Sequence, residues 1–303
     1  MIGPAPALTD IRAVPDAGWI AALAFARRKE SWVAAPADNF YKIFRRSDDP
    51  ARDWLDPACM EKARREYADM QLMHRIDERA CGPLRLDHAC VVYPCLSGPD
   101  LRVMLLRRGS GNAERSSALR DAISLLARLH AATDEVSHYP LKNYLSGGFL
   151  NPDMDVLRRI GECHRVLCIE GFEVRNFRYD QRRSAWVFFD PQDVSRGVPE
   201  NDLARFIVSL LMVTWGKGGS PKIWRNFDFG DLMSTYERTA SRSIDPVLLN
   251  YFLHETIAMR RHFAEKALRA LRGVSRLLGR PYLSAYFLQL EKWAERARWR
   301  HGF

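Results

Sequence analysis

Two polar residues in the middle of the chain could together bind a divalent cation. Asn176 lies five residues after a glycine, in a loop of charged and aromatic residues. Asp190 follows the apolar run 185–189, which predicts a short buried strand. Mg²⁺ takes a few hard oxygen ligands together with waters and phosphates, and an amide and a carboxylate suit that role. An Asx-turn at Asn176 and an acid that merely ends a strand remain the alternative.

A second charged pair lies in the first third of the chain. The run FYKIF predicts a strand with Lys42 at its centre. Asp56 and Pro57 fit the N-cap and first position of a helix, and Glu66 falls within the apolar stripe of that helix. A carboxylate on a buried stripe needs a partner, and Lys42 is a candidate. An edge-strand lysine and a solvated glutamate are the alternatives.

The composition is that of a globular protein with a sizeable core. The 303 residues are 47% hydrophobic and 27% charged, and the net charge is +9. No apolar run approaches the length of a transmembrane helix. An apolar stretch at 17–26 weakly resembles a signal peptide, but acids precede it and basic residues follow it. We therefore expect a cytoplasmic protein.

The six cysteines do not form a metal-binding pattern. No Cys-x-x-Cys pair occurs, and no histidine cluster accompanies the cysteines. We expect reduced thiols that are partly buried, as is usual in a reducing compartment. A zinc site is not expected.

The segment 167–202 resembles the catalytic core of the protein-kinase-like superfamily, in its aminoglycoside, small-molecule and lipopolysaccharide phosphotransferase branches. That pattern has a His-Gly-Asp loop, an Asn five residues after the Asp, a strand that ends in a metal-binding Asp, and an Asp-Leu-Ala helix start. Without gaps, Asn176, Asp190 and Asp202 fall on the last three of these features.

The resemblance covers roughly residues 39–215 and implies an α+β, two-lobed protein-kinase-like fold. A small antiparallel-sheet lobe that binds nucleotide would span 1–96, and a mostly helical large lobe would span 97–303. One feature of the small lobe is missing, because no glycine-rich loop precedes the Lys42 strand.

The resemblance also implies ATP and Mg²⁺ as cofactors. Lys42 would hold the nucleotide phosphates and Glu66 would hold Lys42, as the equivalent pair does in kinases. The carbonyl of Pro94 and the N–H of Leu96 would bind adenine at the hinge. Proline is compatible with that role because only an acceptor is needed.

The catalytic loop departs from the pattern at its most important position. The usual catalytic Asp falls on Gly171, which has no group that accepts a proton. Glu170 and Glu173 flank the glycine and could substitute, with Glu173 favoured because it lies on the same side of an extended loop. Asp202 would accept backbone hydrogen bonds from the loop, although an acid at a helix start also favours the helix dipole.

Three functions fit these residues. The first is an ATP-dependent phosphotransferase acting on a small molecule, glycan or lipid-linked sugar. The second is a catalytically impaired pseudokinase that serves as a nucleotide-binding regulatory or interaction module, and the third is a transferase of another group. We favour the enzyme because Lys42, Glu66, Asn176 and Asp190 occur together. The stretch 139–153 could line a substrate cleft or be an ordinary surface loop.

The C-terminal region carries most of the net charge. Eleven Lys or Arg and three Glu occur from Ala258 onward, interleaved with aromatic residues such as Tyr286, Trp293 and Trp299. These basic helices could meet an anionic membrane surface peripherally or a phosphorylated glycan. A solvated helix face with its aromatic residues in the core is the alternative, and no specific nucleic-acid partner is expected without a binding motif.

Overall fold

The computed structural model describes residues 20, 23–36, 38–107, 109–132, 137–144, 148–222, 228–270 and 274–296, with backbone only for 274–277. Residues 1–19 of the predicted small lobe, part of the 139–153 stretch, and Trp299 lie outside the described residues. The chain divides into two compact units. The first unit comprises the described residues up to Leu72 together with Cys81–Cys95, and the second comprises Met73–Ala80 and the described residues from Leu96 onward.

An antiparallel sheet forms the framework of the first unit. Its five strands are β1 (Ala26–Arg27), β2 (Ser31–Ala34), β3 (Asn39–Phe44), β4 (Arg85–Asp87) and β5 (Cys90–Pro94). They are arranged in the order β1-β2-β3-β5-β4. In this register Lys42 of the central strand β3 lies between Val33 of β2 and Val91 of β5. The predicted strand around Lys42 is therefore confirmed, and it is not an edge strand.

Two helices follow β3, α1 (Pro50–Trp54) and α2 (Pro57–Ile76). The start of α2 is as predicted, because Asp56 Oδ1 accepts hydrogen bonds from the N–H groups of Ala58 (2.9 Å) and Cys59 (3.0 Å). Pro57 occupies the first helical position, where a missing N–H has no consequence. Glu66 lies near the middle of α2, and its side chain is buried.

A buried carboxylate that the sequence did not reveal organises the turn before α1. Asp53 is 1% exposed and accepts hydrogen bonds from Trp32 Nε1 (2.9 Å) and from the backbone N–H of Ser47 (2.9 Å). Burial raises the pKa of Asp53, but these hydrogen bonds outweigh it and lower the pKa overall. Asp53 therefore ties β2 to the chain that leaves β3.

The second unit is mostly helical. Its helices are α3 (Leu101–Leu106), α4 (Asn112–Ala131), α5 (Met154–Glu162), α6 (Pro199–Leu211), α7 (Phe229–Ala240), α8 (Pro246–Ala270) and α9 (Val274–Arg296). Its short strands are β6 (Val166–Ile169), β7 (Phe177–Asp180), β8 (Ala185–Phe188) and β9 (Val194–Gly197), which pair antiparallel as β6–β9 and β7–β8. Nearly every residue of α6 is buried, and this helix packs against α8, while α4 packs against α7.

The last helix contains a proline. α9 begins at Val274, and Pro281 lies in its interior. A proline inside a helix removes one backbone hydrogen bond. Packing offsets that loss, because Tyr286 and Phe287 are buried and both contact the ring of Trp215.

The fold is thus α+β, with a small antiparallel sheet in the first unit and a mostly helical second unit, as the sequence predicted. No helix in the described ranges is both long and apolar enough to cross a membrane.

Candidate active site

The predicted ion pair of the first unit is present. Lys42 Nζ lies 2.6 Å from Glu66 Oε2, and the hydroxyl of Tyr93 donates a hydrogen bond of 2.7 Å to Glu66 Oε1. Lys42 is 8% exposed and Glu66 is 6% exposed. Both oxygens of the carboxylate therefore have a donor, which is the condition for keeping a charge in a protein interior.

The surroundings of this pair distinguish it from a solvated surface bridge. Ala63, Met70 and Met73 are fully buried on the face of α2 that carries Glu66. Lys42 Nζ also lies 5.0 Å from the centre of the Phe44 ring, a distance suited to cation–π attraction. The alternative of a solvated glutamate slightly off the stripe is therefore wrong.

The connection between β1 and β2 is short and contains no glycine. It consists of Arg28, Lys29 and Glu30, and the N–H of Arg28 donates to the carbonyl of Ser31 (2.8 Å). The first hairpin therefore lies before β2 and contributes no glycine ahead of the Lys42 strand. All three residues of the β1–β2 connection have long side chains, so this connection is not a glycine-rich loop.

The two hinge residues lie where the chain passes from the first unit to the second. Pro94 is the last residue of β5 and pairs with Asn39, while Leu96 begins the second unit and its carbonyl accepts from Arg178 Nη1 (3.3 Å). Between them, the N–H of Cys95 donates to the carbonyl of Asp38 (2.7 Å). Their role in binding adenine stays a prediction.

In the second unit, Asn176 links the loop after β6 to Asp190, which lies two residues beyond the end of β8. It is buried at the end of a short 3₁₀ turn, Val174–Asn176. Its side-chain Nδ2 donates to the carbonyls of Gly171 (2.7 Å) and Asp190 (3.3 Å). Both of these hydrogen bonds use the nitrogen, so the amide oxygen can still ligate a cation.

Asp190, two residues beyond the end of β8, has an unusual backbone conformation. Its φ is +63°, in the left-handed region that Asp tolerates better than most residues. It is half-buried. The contact between the Asn176 amide and the Asp190 backbone carbonyl brings the two residues together, and an amide and a carboxylate are oxygen donors of the kind that Mg²⁺ takes.

Gly171 has a structural requirement of its own. Its φ is +95°, and a Cβ at this position would come within 3.1 Å of the Asp190 carbonyl oxygen and 3.2 Å of the Gln192 backbone nitrogen. A left-handed conformation combined with backbone on the Cβ side favours glycine over any other residue. Any side chain at this position, including the usual catalytic Asp, would therefore be strained and would press on the neighbouring backbone.

Both glutamates beside Gly171 are held by cations. Glu170 Oε1 lies 2.6 Å from Lys142 Nζ and 3.3 Å from Arg205 Nη2. Burial of Glu170 raises its pKa, but Arg205 and Lys142 together outweigh burial and lower the pKa. The carboxylate therefore stays ionised at neutral pH.

The other glutamate, Glu173, is 4% exposed. It forms an ion pair with Arg260 of α8, and its Oε2 lies 2.9 Å from Arg175 Nε. Sequence reasoning missed Arg205 and Arg260 as functional candidates. Nothing in their spacing marks them, because they reach the loop from two different helices.

Asp202 is fully buried in the first turn of α6. Its Oδ2 accepts a hydrogen bond of 2.6 Å from the N–H of Ile169, at the end of β6, and lies 3.4 Å from His130 Nε2. The backbone hydrogen bond expected of this residue is present. Burial lowers the pKa of His130, whose Nδ1 lies 2.8 Å from the Tyr236 hydroxyl. His130 is a core residue, as predicted.

The described part of the 139–153 stretch contacts the same region. The N–H of Lys142 donates to the Arg196 carbonyl (2.8 Å) and its side chain reaches Glu170. Farther along, Glu255 accepts from the N–H groups of Phe149 (2.8 Å) and Leu150 (2.7 Å). Residues 145–147 lie outside the described part.

The aromatic residues of the basic C-terminal helices pack inward where the structure describes them. Tyr286 and Phe287 are buried, Tyr282 stacks on Trp215, and Trp293 contacts Phe229. Their cationic neighbours form local ion pairs, such as Arg261 with Glu265 and Glu291. These contacts match the alternative of core aromatics beneath a solvated face.

The chain has the fold of the protein-kinase-like phosphotransferases. No family model matches the sequence, and no curated protein matches it. The assignment of the fold comes from solved structures.

Two of these structures are similar over most of their length. One is a candidate aminoglycoside phosphotransferase from Ralstonia eutropha JMP134, with a TM-score of 0.59 and 12% identity over 91% of this chain and 97% of that one. The other is an amicoumacin kinase in complex with AMP-PNP, Ca²⁺ and Ami, with a TM-score of 0.54 and 14% identity over 88% of each chain. At these identities the likeness establishes the fold.

Proposed function

We propose that this protein is an ATP-dependent phosphotransferase that acts on a small molecule, glycan or lipid-linked sugar. The observation that carries the proposal is the buried Lys42–Glu66 pair, set on the central strand and the long helix of the first unit. Burying two charges costs several kcal/mol per ion, roughly, before their attraction is counted. Such a pair is better explained by a lysine held ready for phosphate groups than by stability alone.

In the second unit, Asn176 and Asp190 would hold Mg²⁺. When bound, the metal would neutralise negative charge on the phosphates during transfer. The hydrogen bonds from Asn176 to the carbonyls of Gly171 and Asp190 would keep the amide plane oriented and its oxygen free for the ion. Neither hydrogen bond involves a side chain at position 171, where the family's catalytic Asp would lie.

A glutamate would orient the acceptor hydroxyl in place of the absent Asp. The sequence favours Glu173, but the Glu170 side chain is 28% exposed and that of Glu173 is only 6% exposed. Glu170 is therefore the better placed of the two to meet an acceptor. Phosphoryl transfer depends mostly on positioning and charge neutralisation, so a carboxylate with a lowered pKa is adequate to orient a hydroxyl.

A nucleotide-binding module without transferase activity is the second candidate function. Two observations favour it: Gly171 has a conformation that would strain the usual Asp, and both neighbouring glutamates are already paired with cations. A general base contributes about 10²–10⁴-fold in rate, so a poorly placed substitute would leave a very slow enzyme.

Calorimetry with ATP and Mg²⁺ tests the shared part of both functions. We expect binding by the wild type, loss of binding in Asp190→Ala, and no change in Asp121→Ala, an exposed acid on α4 that serves as the matched control. No binding by the wild type with either Mg²⁺ or Mn²⁺ would refute the nucleotide site.

Mass analysis of acceptors incubated with ATP then separates the two functions. A mass increase of one phosphoryl group, reduced by Glu170→Gln more than nucleotide affinity is reduced, supports the enzyme. Nucleotide binding without transfer to any acceptor supports the binding module.

The basic helices α8 and α9 add a proposal about location. Leu278 and Leu288 of α9 are 68% and 49% exposed, near a region rich in Lys and Arg. This combination would suit peripheral contact of a cytoplasmic protein with an anionic membrane surface. Co-sedimentation with anionic vesicles over a salt series tests it, and no binding at low salt would exclude it.

A further inference from the structure

The two glutamates that flank Gly171 are contacted by four cationic side chains. Lys142 and Arg205 contact Glu170, while Arg175 and Arg260 contact Glu173. Four cations therefore face two carboxylates, and two positive charges are not balanced within the cluster. We call these six side chains the loop cluster.

Two of the four positive charges lie close together at Glu170. Lys142 Nζ and Arg205 Nη2 contact the same oxygen, Glu170 Oε1, at 2.6 Å and 3.3 Å. Two cations that converge on one oxygen repel each other, and one carboxylate offsets only one of them. A further anion would relieve this repulsion.

The Arg205 guanidinium has an unsatisfied donor. Its Nε is buried and has no hydrogen-bond partner among the described residues, although the side chain as a whole is 13% exposed. A buried donor without a partner is unfavourable, which is the reason such groups are usually satisfied. The guanidinium matches the geometry of a carboxylate or phosphate group.

Helix α8 contacts both halves of the loop cluster, and both halves reach solvent. Arg205 Nη2 lies 4.0 Å from Met259 Sδ of α8, and Arg260 of the same helix pairs with Glu173. The side chains of Lys142 and Arg260 are 16% and 23% exposed. Partial burial strengthens charge interactions while leaving access for a ligand.

We infer that the loop cluster binds a negatively charged group, a carboxylate or a phosphate, on the small-molecule acceptor. This inference rests on the proposed function, because it takes the loop around Gly171 as the place where the acceptor is phosphorylated. Arg205 and Lys142 bind the anionic group, and Glu170, which they hold, orients the hydroxyl. Cationic acceptors are disfavoured by the same charges.

A charge series on one sugar ring tests the inference. NMR titration of the full chain with glucose, glucuronate, glucose 6-phosphate and glucosamine compares neutral, anionic and cationic ligands of similar shape. We expect at least one of the anionic sugars to bind about tenfold more tightly than glucose, and glucosamine to bind more weakly than glucose. Stronger binding by glucuronate identifies a carboxylate, and stronger binding by glucose 6-phosphate identifies a phosphate.

Single substitutions test which residues produce the preference for anionic sugars. Arg205→Gln should abolish it, and Lys142→Gln should reduce it and serves if Arg205→Gln does not fold. Arg158→Gln, on the exposed surface of α5, is the control that should keep it. Added salt should weaken the anion preference. No preference for either anion, or a preference that both Arg205→Gln and Lys142→Gln retain, would overturn the inference.

The titration needs no nucleotide, so its failure is distinct from failure of the proposed function. ATP binding that depends on Asp190, without an anion preference, would overturn this inference alone. A second outcome is an anion preference that Arg205→Gln abolishes, in a protein that binds no nucleotide. This outcome would refute both the phosphotransferase function and the role of the loop cluster in binding an acceptor.

Discussion

The N–H of Ile169 donates a hydrogen bond of 2.6 Å to Asp202, a carboxylate with no exposed surface. This bond links the end of β6 to the first turn of α6, so the loop that follows β6 starts from a position set by the core. Asp202→Ala would leave the Ile169 N–H and His130 without this acceptor. We expect a loss of about 2–4 kcal/mol in the free energy of unfolding.

Urea denaturation measures that loss. Asp202→Asn keeps an oxygen acceptor of similar size and should be milder than Asp202→Ala. If both variants match the wild type, the bond does not stabilise the loop.

A second prediction concerns the charged pair of the first unit. Lys42→Met removes the cation that faces Glu66 and should destabilise the protein by about 3–5 kcal/mol, because a buried charge loses its partner. The double variant Lys42→Met/Glu66→Leu should recover much of that stability. Both variants should lose ATP binding if Lys42 contacts the phosphates.

The matched control is Lys62→Met, at an exposed lysine on α2, the helix that carries Glu66. It should stay within about 0.5 kcal/mol of the wild type and keep nucleotide binding. Recovery of ATP affinity in the double variant would contradict the role given to Lys42.

Restoring the family's residue at Gly171 should not restore a conventional catalytic loop. At φ +95° a side chain is strained by about 1–2 kcal/mol, and the Asp190 carbonyl is 3.1 Å from the new Cβ. Gly171→Ala should therefore lower the melting temperature, and Gly171→Asp should lower it without a gain in activity.

Gly161→Ala, in helix α5, provides the contrast. A Cβ there meets nothing within 4 Å, and alanine should stabilise the helix by about 0.5–1 kcal/mol. A gain in phosphotransfer by Gly171→Asp would show that the loop can accept the usual residue.

The pKa of Glu170 predicts a dependence of stability on pH. Its folded-state pKa lies below the ordinary value of 4.5, because Arg205 and Lys142 outweigh the effect of burial. Its contribution should be fully present above about pH 4.5 and should be lost as pH falls through the lower, folded-state pKa. The difference in unfolding free energy between wild type and Glu170→Gln should shrink over that interval.

Acid titration of the two proteins in parallel provides the measurement. A difference that stays constant from pH 7 to pH 3 would show that the cations do not stabilise the ionised form of Glu170.

The local features of this protein could be predicted from its sequence. The strand around Lys42, the helix starts at Asp56–Pro57 and Asp245–Pro246, and the Lys42–Glu66 pair all follow from short-range rules of capping, periodicity and charge burial. Asp245 caps α8 as those rules require, since its Oδ1 accepts from the N–H of Val247 (2.8 Å). Such features are decided by a few neighbouring residues.

Only the tertiary structure decided how the loop around Gly171 is surrounded. Lys142, Arg205 and Arg260 come from separate segments, and no spacing along the chain indicates that they converge on two glutamates. The left-handed conformation of Gly171 likewise depends on backbone that approaches from Asp190 and beyond. Sequence periodicity reports which face of an element is buried, whereas these contacts depend on how distant elements pack, and that is a property of the folded chain.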